Sequence, residues 1–348
     1  MIKAVQADTG LALSLRLHRL GWYCMMVLVA GWFTPAVYAA TADAEPDAGW
    51  VLLQKVQNAA RTLDYSGVYT YQQGAVMQSS RVTHLVDGTG ERERIEALDG
   101  APREFLRQND RIQCLIPERK LVILERRRGD RFPALLLGDG AGIAGHYQIH
   151  TMASPDRVAG HDCTVIEVTP QDKHRYGYRL CLDPKSHLLL KAQTLSADDV
   201  VIDQVVFNSL VIGDKVLASD LDSAWSTRDW KVLEASKVTI DLAKKGWRIP
   251  HPSGFQTISQ VSRSLRAGLQ VSQLVMADGL AAISVFIEPI DVATESKVVQ
   301  GVMQKGAMNV FRARIGDYWM TALGEVPAAT LRDMVQQAEY VPLSVHDQ

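Results

Sequence analysis

The run Val68-Tyr69-Thr70-Tyr71-Gln72-Gln73-Gly74-Ala75-Val76-Met77, continued through Leu85-Val86-Asp87-Gly88, decides how this chain is built. It reads at a period of two, rich in β-branched and aromatic residues, and Gly74 and Asp87-Gly88 punctuate it. That is the signature of strands joined by turns. Immediately upstream the period differs. Trp50, Leu53, Val56, Ala60 and Leu63, between Asp47 and Asp64, recur at spacings of three and four and form one apolar stripe of a helix. Downstream, residues 91–98, 103–107, 111–116 and 120–125 read as further short strands. Asp99-Gly100, Asn109-Asp110 and Pro117-Glu118 separate them, as in an antiparallel meander. A looser stretch covers residues 129–145, and strands resume at 147–152, 162–169, 176–182, 188–194 and 200–211. The expectation is one helix with about ten strands in a large curved sheet.

Between residues 214 and 237 the pattern blurs. Asp220, Asp222, Ser223, Ser226, Thr227 and Asp229 surround Trp225 and Trp230, which reads as an exposed linker. A smaller unit begins at Val238, with strands at 257–265, 270–276, 281–287, 309–315 and 318–323. Asp278-Gly279 and Gly316-Asp317 supply hairpin turns. A last helix is entered through Pro327, with Leu331, Met334, Val335 and Ala338 on one side. The class is α+β, mostly antiparallel β, without an internal repeat.

The N-terminus has its own logic. Lys3, Arg16 and Arg19 precede an apolar run at residues 20–33, followed by Pro35 and Ala36-Val37-Tyr38-Ala39-Ala40. A basic start, an apolar middle and a small-residue cleavage pattern describe a secretory signal peptide over residues 1–39, an uncleaved anchor being the alternative. The expected divisions are residues 40–213 for the large unit, 214–237 for the linker and 238–348 for the small one. Overall, 37 Lys+Arg oppose 39 Asp+Glu, a net charge of −2. That balance argues against a nucleic-acid binder, which needs surplus positive charge to neutralise phosphates.

A search for chemistry finds little. No HExxH, GxSxG or P-loop occurs in the chain. His146 and His150 are four apart in a strand-like stretch, which would set them about 13 Å apart, too far for one metal ion. Gly140-Ala141-Gly142-Ile143-Ala144-Gly145 matches GxGxxG, but a strand-like run and Pro155 follow where the motif requires a helix. No metal, cofactor or catalytic residue is expected.

Three features carry information. Cys163 and Cys181 fall on neighbouring strands and read as a disulfide, two buried thiols being the alternative. If they face each other, Glu167 faces Gly177 and Gln171-Asp172-Lys173 forms the loop. Arg119, Lys120, Arg126, Arg127, Arg128 and Arg131 form the strongest positive run, either a solvated strand end or a contact for phosphates or an acidic partner. A curved sheet with a helix across its open side can also enclose an apolar cavity. Candidate lining residues are Val68, Tyr69, Tyr71, Val82, Leu85, Ile95, Phe105, Leu115 and residues 135–137, and core packing accounts for each of them equally well.

With these elements in order, the chain resembles the RseB/MucB family, periplasmic regulators of the envelope-stress sigma factor. The resemblance rests on Leu52-Leu53, Leu63-Asp64-Tyr65 and Gly67, then on Leu98-Asp99-Gly100-Ala101-Pro102-Arg103-Glu104 with Arg107 and Asp110. Arg175-Tyr176-Gly177-Tyr178-Arg179-Leu180, Asp183 and Leu188-Leu189-Leu190 extend it. So do Pro252-Ser253-Gly254-Phe255, Asp278-Gly279-Leu280-Ala281-Ala282-Ile283-Ser284-Val285-Phe286 and Gly324-Glu325-Val326-Pro327.

The resemblance implies a large unclosed β-barrel similar to LolA and LolB, capped by helices, and a smaller C-terminal domain. It implies a binding protein with no catalytic residues to carry over. Members bind the periplasmic part of a membrane-spanning anti-sigma factor, shield it from the first proteolytic cut, and release it when lipopolysaccharide or another acyl-chain lipid occupies the large domain. Acyl chains are then assigned to the cavity and head-group phosphates to Arg126, Arg127, Arg128 and Arg131. The anti-sigma peptide is assigned to the small domain and the linker. A periplasmic lipid or lipoprotein carrier is the alternative reading, and a homodimer is left open.

Overall fold

The computed structural model describes residues 48–126, 132–137, 143, 145–234, 237–264, 270–291 and 300–342. The expected signal peptide, Arg127, Arg128, Arg131 and most of the glycine motif at 140–145 lie outside the described residues, as does the side chain of Arg126.

The stripe read from Trp50 to Leu63 forms the helix α1 (Ala48–Thr62), which buries Leu53, Val56, Ala59 and Ala60. After it come β1 (Tyr65–Gln73), β2 (Val76–Asp87), β3 (Gly90–Ala97), β4 (Glu104–Gln108), β5 (Arg111–Ile116) and β6 (Leu121–Arg126). Next in the chain come β7 (Tyr147–Thr151), β8 (Asp156–Val158), β9 (His161–Pro170), β10 (Gly177–Leu182), β11 (Leu189–Leu195) and β12 (Val201–Ile212). β13 (Lys231–Glu234) completes a 13-stranded sheet in the order β13-β6-β5-β4-β3-β2-β1-β12-β11-β10-β9-β7, with β8 paired to β9. Among the described residues its two ends, β13 and β7, do not pair, so the barrel stays open.

The sheet has to curl. Helix α1 touches both β2 and β7, which stand six strand spacings apart in the sheet. Laid flat, they would be about 29 Å apart, against roughly 22 Å for a helix of this length. Leu53 and Val56 of α1 join Ile166, Val168, Leu180 and Leu189 in one core cluster. Ala60 joins Val82, Ile95 and Phe207 in a second.

The smaller lobe carries β14 (Val238–Thr239), β15 (Trp247–Arg248), β16 (Gln256–Ser264), β17 (Gln270–Ala277), β18 (Ala282–Pro289), β19 (Gly301–Lys305), β20 (Met308–Ile315) and β21 (Tyr318–Gly324), then α2 (Ala328–Gln336) and β22 (Glu339–Tyr340). Seven strands form an antiparallel sheet in the order β14-β16-β17-β18-β21-β20-β19, and β15 pairs with β22. Leu331, Met334 and Val335 of α2 pack on Ile283, Val285 and Met320.

Two local expectations are corrected. Cys163 and Cys181 do form a disulfide, with Cα atoms 5.4 Å apart. They are not register partners, however: Cys181 faces Val165 and Tyr178 faces Val168, so the bridge runs diagonally across β9 and β10. A two-residue slip keeps every side chain on its face, so alternation alone cannot detect it. The longer loop, residues 171–176, is organised by Asp172, whose Oδ1 accepts from the amide of His174 at 2.9 Å. In the linker, a 3-10 turn at Ala218–Leu221 and the strand β13 replace the irregular path. β13 runs parallel to β6, with Val232 opposite Val122.

Candidate functional site

Strand register sorts the candidate cavity residues onto two faces. Val82 pairs with Gly67 and Ile95, and Ile95 with Phe105, so these side chains share the concave face with Tyr69 and Tyr71. Val68, opposite Arg81, and Leu85, opposite Arg92, point the other way. So does Leu115, the register partner of Glu104. These three cannot line one cavity with the rest, because neighbouring residues of a strand point to opposite faces.

That outer face is crossed by the linker. Glu104, almost fully buried, accepts from Arg94 Nη2 at 2.7 Å, Ser223 Oγ at 2.5 Å and the Ala224 amide at 3.3 Å. A buried carboxylate needs such partners, and here they tie residues 223–224 down on the path to β13.

On the concave face one row is polar: Tyr65, His84, Glu93 and Arg107 are successive register partners. The His84 ring stacks on Tyr65 at 4.7 Å, and its Nδ1 lies 2.7 Å from the carbonyl of Leu63, just beyond α1. Its Nε2 lies 3.1 Å from Glu91. Arg107 pairs with Glu91 at 2.5 Å and Glu93 at 3.2 Å. Burial works against the charge on Arg107, yet Glu93 and Glu91 raise its pKa. This network fastens the end of α1 to the sheet. It borders a groove of about 530 Å³ lined by Trp50, Gln54, Asn58, Arg61 and Glu91.

Farther along, the concave face is apolar and occupied. Phe132, from the segment after β6, sets its ring 5.4 Å from Tyr69 and 4.9 Å from Phe207. Tyr69, Phe105, Phe132 and Ala134 pack on the cluster of Val82, Ile95 and Phe207.

The two lobes meet along a built seam. Arg175, from the β9–β10 loop, places Nη1 2.7 Å from Asp278 Oδ2, and neither side chain reaches solvent. It also pairs with Asp172 at 3.0 Å, donates to the carbonyl of Ser253, and lies over the rings of Tyr147 and Phe255. Tyr147 donates to Asp278 Oδ2 at 2.9 Å. Burial, then the neighbouring Tyr178 and Asp278, push the Tyr147 phenol well above its usual range. Asp278 also accepts the amides of Leu280 and Ala281, so one carboxylate shapes the β17–β18 turn and receives the other lobe's arginine.

A second joint lies at Asp203. Its carboxylate accepts the amide of Gly74 in its own lobe at 3.1 Å and that of Ala307 in the small lobe at 2.8 Å. Gly306 adopts φ +57°, and a Cβ there would stand 2.0 Å from Asp203 Oδ1. Between the joints, Asn309 Nδ2 donates to the Tyr176 hydroxyl, and Thr330 Oγ1 to the carbonyl of His174. His146 contacts Ser253 Oγ at 3.0 Å.

Sequence reasoning did not assign the seam. Arg175 and Asp278 stood inside the strings that carry the family resemblance, but Asp278 was read only as a turn residue. Asp203 left no local signal at all.

The MucB/RseB N-terminal domain matches residues 49–225, and the MucB/RseB C-terminal domain matches residues 241–339. The chain is 30% identical over 318 residues to the sigma factor AlgU regulatory protein MucB of Pseudomonas aeruginosa, covering 89% of this chain and 92% of that protein. It is 24% identical over 330 residues to the sigma-E factor regulatory protein RseB of Escherichia coli K12, covering 92% and 98%. Among solved structures, MucB in complex with MucA(peri) is 26% identical with a TM-score of 0.65, covering 85% of this chain and all of that one. The complex of Pseudomonas aeruginosa MucA and MucB gives 26% and 0.66. On this two-domain match, the chain belongs to the MucB/RseB family.

Proposed function

We propose that this protein is a periplasmic negative regulator of an envelope-stress sigma factor. It binds the periplasmic part of a membrane-spanning anti-sigma factor and shields it from the first cut, until lipopolysaccharide or another lipid releases it. The observation that carries this reading is the likeness, over the whole of that chain, to MucB held in complex with MucA(peri).

Release by lipid is a linked equilibrium. The lipid has to bind the released form better than the complex, or it shifts nothing. Acyl chains are assigned to the concave face with Tyr69, Tyr71, Val82, Ile95 and Phe105, and phosphates of the head group to Arg126, Arg127, Arg128 and Arg131. Val68, Leu85 and Leu115 are withdrawn from that assignment. The second lobe and its buried seam favour a regulator over a simple carrier, which needs only the cavity.

The test is proteolysis of the anti-sigma periplasmic segment by its site-1 protease, alone, with this protein, and with added lipopolysaccharide. Protection that lipopolysaccharide abolishes is the expected result; cleavage at the same rate in all three sinks the reading. Substituting the four arginines tests the electrostatic part, and unchanged release removes it.

A further inference from the structure

Phe132-Pro133-Ala134-Leu135-Leu136-Leu137 is a run of six apolar residues that forms neither strand nor helix, although each is buried or half-buried. Among the described residues its backbone is held at three points. The amides of Leu135 and Leu136 donate to Gln57 Oε1 of α1 at 3.1 and 2.9 Å, and the amide of Leu137 donates to the carbonyl of Gly279 at 2.8 Å. None of the three reaches the large sheet. Side chains hold the rest: Phe132 stands between Tyr69 and Phe207, and Leu135 and Leu136 pack on the cluster around Leu53 and Leu180. The same cluster contains Leu280, from the small lobe's β17–β18 turn.

We propose that residues 132–137 are a removable plug: they fill the concave apolar site, an acyl chain takes their place, and their departure frees the small lobe. The proposal rests on the lipid-release reading above and gives it a physical route. Apolar contact is non-directional, so a hydrocarbon chain satisfies Tyr69, Ile95 and Phe207 as well as Phe132 does. A strand of the sheet could not be displaced this way, because its ladder hydrogen bonds would be left unmade. Among the described residues the plug has no ladder, and its amides regain water on leaving.

The coupling lies at Gly279. Leu137 bonds the residue that follows Asp278, and Leu136 shares a core with the residue after that. When the plug leaves, the turn that holds Asp278 against Arg175 loses a hydrogen bond and an apolar neighbour at once. Lipid on one lobe and docking of the other are thereby alternatives of one equilibrium, as population shift requires.

The test uses the full chain, a long-chain fluorescent fatty acid (cis-parinaric acid), and hydrogen exchange at single amides. Titration is expected to strip protection from the amides of Leu135, Leu136 and Leu137, and then from those of Leu280 and Ala281. Phe132→Ala weakens the plug and is expected to tighten fatty-acid binding by roughly tenfold, since less of the protein has to be opened. Gln57→Ala, on a half-buried helix position, removes two plug bonds without opening the core and acts in the same direction.

Fatty-acid binding that leaves the plug amides protected, with affinity unchanged in both variants, overturns the plug, as does no binding in any form. Lipid-triggered release of the client is read separately. If the plug amides open but the client stays bound, the plug stands and the release reading fails.

Discussion

Arg175 of the large lobe and Asp278 of the small lobe meet at 2.7 Å with both side chains sealed from solvent. Taking two charges out of water is costly, and their attraction compensates only when the remaining donors and acceptors are satisfied. Here Asp172, Ser253, Tyr147 and two backbone amides supply those partners.

Removing one partner therefore leaves the other charge buried and alone. Asp278→Ala is expected to cost about 3–5 kcal/mol in urea-denaturation stability. Asp278→Ala combined with Arg175→Met should cost clearly less than the sum of the single changes. A strictly additive double-mutant cycle would show that the pair does not act as a unit.

Glu325 opposes the other joint. Burial, then the charge of Asp203, raise its carboxyl above the ordinary 4.5, and among the described residues no hydrogen bond or ion pair holds it. A carboxyl whose folded pKa is raised stabilises the fold in its protonated form. That contribution is present below the unfolded value and is lost as pH rises through the folded one. Glu325→Gln should thus match the parent protein below about pH 4 and exceed it at neutral pH. Melting temperatures across that range check it; parallel curves would refute the assignment.

The disulfide lends itself to a cleaner measurement. Cys163 and Cys181 are almost fully buried and enclose a short loop of chain. The double change Cys163→Ala with Cys181→Ala should lower unfolding stability by about 3 kcal/mol, most of it through the unfolded chain. The parent protein, unfolded with reductant present, should lose a similar amount, while the variant is indifferent to reductant.

Much of this fold was legible because period and punctuation are local properties. The stripe from Trp50 to Leu63 and the alternation from Val76 onward gave α1 and β2 nearly to the residue. Strands without a pattern of their own were not legible. In β13 all four side chains are exposed, so no apolar pattern marks it; it pairs with β6 through the backbone, and the linker before it is held by Glu104 and by Arg94, which donates to the carbonyl of Asp220. Face assignment failed for Val68, Leu85 and Leu115 because apolar character was weighed before strand parity. The seam stayed hidden for another reason. Arg175 and Asp278 are 103 residues apart, and no local rule joins them.

Gly306 and Gly316 make a matched pair that isolates the Asp203 joint. Both sit at φ +57°, where any side chain is strained, but a Cβ at Gly316 meets nothing within 4 Å. At Gly306 it would strike Asp203 Oδ1, which accepts the Gly74 amide, at 2.0 Å, and crowd Oδ2, which accepts the Ala307 amide, at 2.7 Å. Gly316→Ala should therefore cost only the backbone strain, roughly 1 kcal/mol. Gly306→Ala should cost that amount plus the loss of a charge-assisted hydrogen bond, about 1.5–3 kcal/mol more. The added loss should show as faster hydrogen exchange at Ala307 and Gly74, one amide in each lobe. Equal costs for the two alanines would mean that Asp203 does not clamp the lobes together.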